Sequence, residues 1–463
     1  MGKSRRSSRM CPKLSDGEQN MASIDRLSSL PDVIVCHILS FVDTKLSVAT
    51  SVLGKRWRFL WAHVPCLDFG GYDFRKEGTQ ASDIVHRVLL RHKAKRMDTL
   101  TLYNLKFNEY QLETLITTAI DRSIRNLYLE LDFDTFPEYL FNCKTIVDLK
   151  LACYRVSLSD VGNVSLPSLK KFHVSNVVCE NDEALPRFLS GCPSLEELNM
   201  TFTSVEESDY MDCINISSPT IQTLELDVGD LTCPSNLEYR MIINAPALRY
   251  LQVVDYDLEC ITFPIKMIFL VDADIYFLDY SFSDLKPSYN YIVKFLHSLC
   301  HVKCLKISGW VFEEFVYRGV ALSDVKFDNL TKLEIILDFK WSLLVKFLEV
   351  ADNLEVLICQ QFFYIGRGYS SPDPEQVPKC LLSCLRTITI SGMLSEEHEF
   401  DMYEVFYALP WLLEECPVLE KLTVSGIANA LDHLIVESAS LRSLELELLF
   451  DNVYCLVLVD ATG

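Results

Sequence analysis

The pattern apolar-x-x-apolar-x-apolar recurs along most of this chain, and its spacing constrains the fold more than any other feature. Clear copies are Ile146-Leu149-Leu151, Leu195-Leu198-Met200, Ile221-Leu224-Leu226 and Leu248-Leu251-Val253, then Val302-Leu305-Ile307, Leu330-Leu333-Ile335, Leu419-Leu422-Val424 and Leu441-Leu444-Leu446. Central positions fall at 172, 198, 224, 251, 278, 305 and 333, so successive gaps are 26, 26, 27, 27, 27 and 28 residues. The copy Ile275-Leu278-Tyr280 is divergent and is placed by the period, with Ile265-Ile268-Leu270 competing for that strand. A unit of this size cannot bury its own apolar stripe, so neighbours must stack. Alternate side chains of each short strand then enter a shared core, which predicts an α/β chain with a curved parallel sheet.

A period of roughly 20–29 residues with this pattern reads as a leucine-rich repeat, here over 97–361. The usual repeat carries Asn or Cys three places past the last apolar strand position. Asn104, Cys153, Asn176, Gly309, Gly392 and Gly426 lie two places past it instead. These residue types let a chain turn out of a strand, but the regular polar ladder is missing. An irregular solenoid is the expectation. Cys192-Pro193, Ser218-Pro219, Ala245-Pro246 and Cys416-Pro417 fit turns that launch strands.

The N-terminal stretch differs. Residues 1–20 carry Lys3, Arg5, Arg6, Arg9 and Lys13 without a hydrophobic period and are expected to be a disordered basic tail. From Ile24 to Phe69 the spacing turns helical. Pro31 suits a first helical position ahead of Ile34, Val35, Ile38, Leu39 and Val42. Asp43 or Thr44 can cap a second helix with Val48, Ala49, Val52 and Leu53 on its apolar face, and Trp57, Leu60 and Trp61 give a third. Three helices of about ten residues are marginal alone, so the segment must dock on the rest of the chain or on a partner.

The residues Asp25-Arg26-Leu27-Ser28-Ser29-Leu30-Pro31-Asp32, His37-Ile38-Leu39-Ser40-Phe41, Thr50-Ser51-Val52-Leu53 and Lys55-Arg56-Trp57-Arg58-Phe59-Leu60-Trp61 resemble a plant-type F-box over 24–69. Val42-Asp43 stands where Leu-Pro is common and Gly54 where Ser is usual. After a boundary loop at 362–376, rich in Gly and Pro, Val377-Pro378-Lys379-Cys380-Leu381 with Leu385, Ile388 and Ile390 resembles the opening of an FBD domain. Leu412-Leu413-Glu414-Glu415-Cys416-Pro417 resembles its close, and the acidic segment Met393 to Phe406 between them matches loosely. The expected order is then tail, F-box, repeats, loop, FBD-like repeats to 446 and a C-terminal segment 447–463.

The chain has 43 Lys and Arg against 64 Asp and Glu, a formal charge of −21, which argues against a general nucleic-acid or anionic-membrane binder. No apolar run reaches the ~20 residues of a membrane helix. The 17 scattered cysteines read as reduced, buried thiols of an intracellular protein, nuclear or cytoplasmic. One cluster, His297, Cys300, His301 and Cys304, has spacing suited to zinc on one helix face. The competing reading makes these thiols packing residues at a helix-to-strand junction. Cys380 and Cys384 lack nearby histidines. The basic cluster Arg91, Lys93, Lys95 and Arg96 is either a solvated helix end or a site for a small anion or acidic partner. No phosphate loop, dinucleotide fingerprint or nucleophile elbow occurs. No catalytic residue, cofactor or metal is assigned.

The resemblance implies a non-catalytic substrate-recognition subunit of a Skp–cullin–F-box ubiquitin ligase. The F-box would bind a Skp-family adaptor through Leu30, Pro31, Ile34, Ile38, Leu39, Val52, Leu53 and Trp57, with Val52, Leu53 and Trp57 either completing that surface or packing beneath it. The repeats would capture a protein substrate. The alternative is an adaptor-binding interaction protein that forms no active ligase.

Overall fold

The computed structural model describes residues 27, 29–70, 81–131, 136–159, 161–178, 181–203, 213–230, 240–255, 261–277, 289–308, 325–336, 341–360, 377–391, 414–425, 434–437, 441–447 and 456–459. The tail 1–20, Leu278, Tyr280, the loop 362–376, the 393–406 segment and Gly309, Gly392 and Gly426 lie outside them.

Among the described residues, fifteen strands from Cys66–Phe69 to Ser443–Glu447 form one sheet. Every neighbouring pair in it is parallel and held in register by the repeat motif. Leu198 pairs with Leu224, Leu224 with Leu251, Leu305 with Leu333 and Leu422 with Leu444. The central motif residues thus make one apolar column, at most 1% exposed from Leu67 to Leu422. A second column two residues on, including Leu226, Val253, Ile275 and Ile307, is equally buried. Each fully buried leucine contributes about 2 kcal/mol, and stacking is the only way a short strand can bury it.

Between Leu251 and Leu305 the structure corrects the sequence expectation. The strand there is Asp272–Phe277, with Ala273 paired to both leucines. The motif is therefore Leu270-Ala273-Ile275, and neither Ile275-Leu278-Tyr280 nor Ile265-Ile268-Leu270 supplies the strand. Gaps of 22 and 32 residues replace two of 27, counting 251 to 273 and 273 to 305. The small alanine at the centre is what hid this copy. Copies at Ile124-Leu127-Leu129 and Leu354-Leu357-Cys359 also join the sheet, the latter closing on a thiol that packs as a small hydrophobe.

The residues expected to turn the chain out of its strands lie inside them instead: Asn104 in Thr99–Leu105, Cys153 in Asp148–Ser157 and Asn176 in Lys171–Val178. Asn104 and Asn176 have φ of 54° and 58°, in the left-handed region where a short amide side chain is tolerated. Each sits where the strand register shifts. Asn176 also donates its side-chain amide to the Cys153 carbonyl at 2.7 Å, joining adjacent repeats.

The returns to the sheet are uneven, which makes the solenoid irregular. Some are helices, such as Glu109–Asp121, Ala184–Ser190, Tyr289–Leu299 and Trp341–Leu348. Others are strands: Cys213–Ser217, Arg240–Asn244 and Ile261–Thr262 make a second parallel sheet whose Ile214, Ile216, Met241 and Ile243 join the main core. No helix among the described residues is long and apolar enough to cross a membrane.

Leu224→Asp or Leu251→Asp would strand a carboxylate between stacked strands and should cost ~3 kcal/mol or more. The exposed neighbour Gln222 should accept alanine within about 0.5 kcal/mol. Urea midpoints of the variants check both, and equal tolerance at the two kinds of position would overturn the register.

Candidate partner-binding surfaces

The N-terminal module is built on a core of six side chains: Val35, Cys36, Leu39, Trp57, Leu60 and Val64. Its first helix, α1, runs Asp32–Leu39. Pro31 precedes it by one residue rather than opening it, and its carbonyl accepts from the N–H groups of Ile34 and Val35 at 3.0 and 3.1 Å. Asp32 in the first turn suits the positive end of the helix and pairs with Arg56 at 2.6 Å. Arg56 also donates to the Leu30 carbonyl. One guanidinium therefore ties the start of α1 to the segment 24 residues later.

Helix α2, Thr44–Ala49, is capped by Asp43, whose carboxylate accepts from the Leu46 N–H at 2.7 Å. It is turned inside out. Its buried residues are Thr44 and Ser47, while Leu46 is half exposed, and Val52 and Leu53 just beyond it are 85% and 65% exposed. Thr44 Oγ1 faces inward because it accepts from the Asp68 N–H at 2.8 Å in the first strand of the sheet, whereas the buried Ser47 hydroxyl has no hydrogen-bond partner among the described residues.

On α1 the residues Val35, Cys36 and Leu39 face in, Ile34 and Ile38 lie at i and i+4 on the outside, and Phe41, two residues past the helix end, is exposed as well. Of the expected adaptor contacts, Pro31, Ile34, Ile38, Val52 and Leu53 are exposed and Leu30 is partly so. Leu39 and Trp57 are each 5% exposed and belong to the small core. For Trp57 the choice between surface and support therefore falls on support, at the start of a 3-10 run Trp57–His63. Sequence reasoning did not select Val33, Phe41, Leu46 or Phe59, all exposed here. Their signal was the excess of apolar residues over what forty residues can bury.

The module is fused to the sheet. Its closing segment Val64-Leu67-Phe69 has the repeat spacing, and Cys66–Phe69 pairs in parallel with Thr99–Leu102. Lys93 and Ala94 donate their N–H groups to the Ala62 carbonyl at 2.6 and 3.1 Å. His92, 4% exposed, spans the joint: Nε2 lies 2.7 Å from the Val64 carbonyl and Nδ1 2.7 Å from the Arg122 guanidinium. A guanidinium can only donate, so Nδ1 accepts and the ring proton sits on Nε2. Burial holds this histidine below its ordinary pKa, and the Arg122 charge adds to that, against the Val64 hydrogen bond.

The second surface is the open face of the large sheet, formed by residues between the two core columns. In successive strands it carries Lys150, His173, Asn199, Glu225, Gln252, Asp274, Lys306 and the buried Glu334, with polar contacts running across them. Tyr250 donates to Asp274 at 2.9 Å, and Lys306 pairs with Glu334 at 2.8 Å while lying 5.8 Å from the Tyr276 ring centroid. Burial raises the Asp274 pKa, opposed by the Tyr250 hydrogen bond and Lys306.

The His297, Cys300, His301 and Cys304 set does not converge. His301 Nε2 is taken by the Met267 carbonyl at 2.6 Å, and Cys304 opens a strand beside Asp272, where burial and that carboxylate push its thiol up to about 11. Among the described residues no group of three or more His, Cys, Asp or Glu is placed to hold a metal ion. Cys380 and Cys416 are buried, and each donates its thiol to a backbone carbonyl.

Comparison with known proteins matches residues 116–268 to the family described as "FBD-associated F-box protein At5g56370, LRR repeats" and residues 373–424 to the FBD family. F-box/FBD/LRR-repeat protein At3g52680 of Arabidopsis thaliana is 31% identical over 380 residues, 78% of this chain and 78% of that protein. F-box/FBD/LRR-repeat protein At2g26030 of the same plant is 30% identical over 437 residues, 88% of this chain and 94% of its own. FBD-associated F-box protein At4g10400, also from Arabidopsis thaliana, is 30% identical over 393 residues, 82% and 88% of the two chains.

The His92 joint gives a pH dependence. Its pKa is depressed in the folded state, so below about 6.5 the unfolded chain binds the extra proton first and stability falls as pH falls. The contribution is whole above that pH and shrinks toward the folded pKa. A His92→Gln variant should lose part of the drop in melting temperature that the wild type shows between about pH 7.5 and 5.5. An identical drop in both would remove His92 as its source.

Proposed function

This chain belongs to the F-box/FBD/LRR-repeat proteins, and from that premise we propose that it is the substrate-recognition subunit of a Skp–cullin–F-box ubiquitin ligase. The observation that carries the reading is the distribution of exposed apolar side chains. Of sixteen large ones among the described residues, nine lie between Leu27 and Phe59. A module that hides Thr44 and Ser47 while displaying Leu46, Val52 and Leu53 has its apolar face turned toward a partner, since an exposed apolar patch of this kind marks an interaction site. On this reading the partner is a Skp-family adaptor that brings a cullin.

The open face of the sheet then takes the target protein, and the chain contributes no catalytic group. Its physical contribution is effective concentration: holding the target near a loaded conjugating enzyme makes their encounter intramolecular. Co-purification from plant cells separates the ligase from an adaptor-bound protein outside it, because the ligase brings adaptor and cullin together and the other brings the adaptor alone.

Burial divides the expected contacts into two kinds with different mutant behaviour. Val52→Ala/Leu53→Ala should leave the melting temperature within about 2 °C, since neither residue is packed. The same variant should weaken adaptor binding about tenfold or more. Leu39→Ala and Trp57→Ala should instead cost ~2–4 kcal/mol of module stability through the cavities they leave. Calorimetric titration and thermal melts on one preparation check both. An unchanged adaptor affinity in the first variant would overturn the assignment of this face.

A further inference from the structure

Six exposed cations flank the joint between the F-box and the first repeats: Lys55 and Arg58 from the module, Arg91 at the end of the helix Ala81–Arg91, and Lys93, Lys95 and Arg96 just after it. The two groups are brought together by the Lys93 and Ala94 N–H groups on the Ala62 carbonyl. They meet at Phe59, which is 59% exposed. The Arg58 guanidinium carbon lies 5.6 Å from its ring centroid and Lys93 Nζ 5.9 Å, so one aromatic ring is shared by two cations. Among the described residues only Arg96 of the six has a carboxylate partner, Asp98 at 3.3 Å. This happens in a chain of net charge −21. The neighbouring Arg56, by contrast, is satisfied by Asp32.

We propose that this patch binds an acidic segment of the protein that covers the apolar face of the F-box, an inference that rests on the adaptor reading above. Two features define the occupant. Unpaired cations call for carboxylates, and the patch is continuous with the docking face, because the short helical turns Thr50–Val52 and Trp57–His63 pack together and Phe59 belongs to the same exposed apolar set as Val52 and Leu53. A protein seated on Val52 and Leu53 therefore reaches Phe59 and, beside it, Arg58 and Lys93. A long polyanion such as duplex nucleic acid fits less well. Beyond one screening length of about 8–10 Å it would meet a predominantly acidic chain.

The test uses the full chain with a purified Skp-family adaptor, fluorescein-labelled poly-L-glutamate and a labelled DNA duplex as separate probes. The variants are Arg58→Gln/Lys93→Gln/Lys95→Gln and its glutamate counterpart, each checked for an unchanged melting temperature. Adaptor affinity of the wild type should fall about tenfold between about 50 and 500 mM NaCl. The glutamine variant should be about tenfold weaker at low salt and nearly equal at high salt, and should lose poly-L-glutamate binding. Equal affinities of variant and wild type for both acidic probes would overturn the proposal, as would tighter binding of the duplex than of poly-L-glutamate. A wild type that ignores the adaptor yet binds poly-L-glutamate through these three residues would overturn the adaptor reading and support the specificity for acidic protein segments.

Discussion

In-register stacking of apolar columns across parallel strands is the interaction on which the rest of the molecule depends. A strand of five or six residues has no stability of its own, and a parallel pair needs a long crossover to form at all. What fixes each strand is that its two inward side chains fit between those of the strands before and after. Leu224 between Leu198 and Leu251 is the pattern in its regular form. Because the constraint acts only on those inward positions, the returns are free to vary. Helices, 3-10 turns and a second small sheet serve in different repeats without disturbing the register.

The N-terminal module shows the opposite solution. It has too few residues to bury its apolar side chains, and it keeps only six of them in a core. Polar contacts settle which ones. Thr44 is drawn inward by the Asp68 N–H, and the Arg56 contacts with Asp32 and the Leu30 carbonyl set how the start of α1 sits against the 3-10 run. The apolar excess is left on the outside.

How much of this was legible in the sequence follows from side-chain size and from symmetry between faces. Most repeats with leucine, isoleucine or valine at all three motif positions could be read directly, although Ile124-Leu127-Leu129, which has them, emerged only from the sheet pairing. The copy centred on Ala273 and the one ending on Cys359 could not, because small residues carry little hydrophobic signal although they stand in the same columns. The asparagines at 104 and 176 were legible as irregular backbone positions but not as what they are, left-handed residues inside strands where the register shifts, with Asn176 also linked to the previous repeat. In α1 both faces are apolar, so spacing alone could not separate Leu39, which is inside, from Ile38, which is outside. The buried role of Trp57 and the joint at His92 were hidden for a related reason: they come from residues roughly twenty and thirty positions away respectively.

Because Cys66–Phe69 closes the N-terminal module and is also the first strand of the sheet, the large sheet behaves as a ruler that starts at the joint. Neighbouring strands are about 4.8 Å apart, so fourteen intervals measure out roughly 67 Å along the sheet. A ligand held one repeat further along would be displaced by one graduation, because Cys66–Phe69 pairs directly with Thr99–Leu102. Two chains of this build that present the same side chains on different strands would hold the same ligand at different, discrete distances from whatever occupies the module.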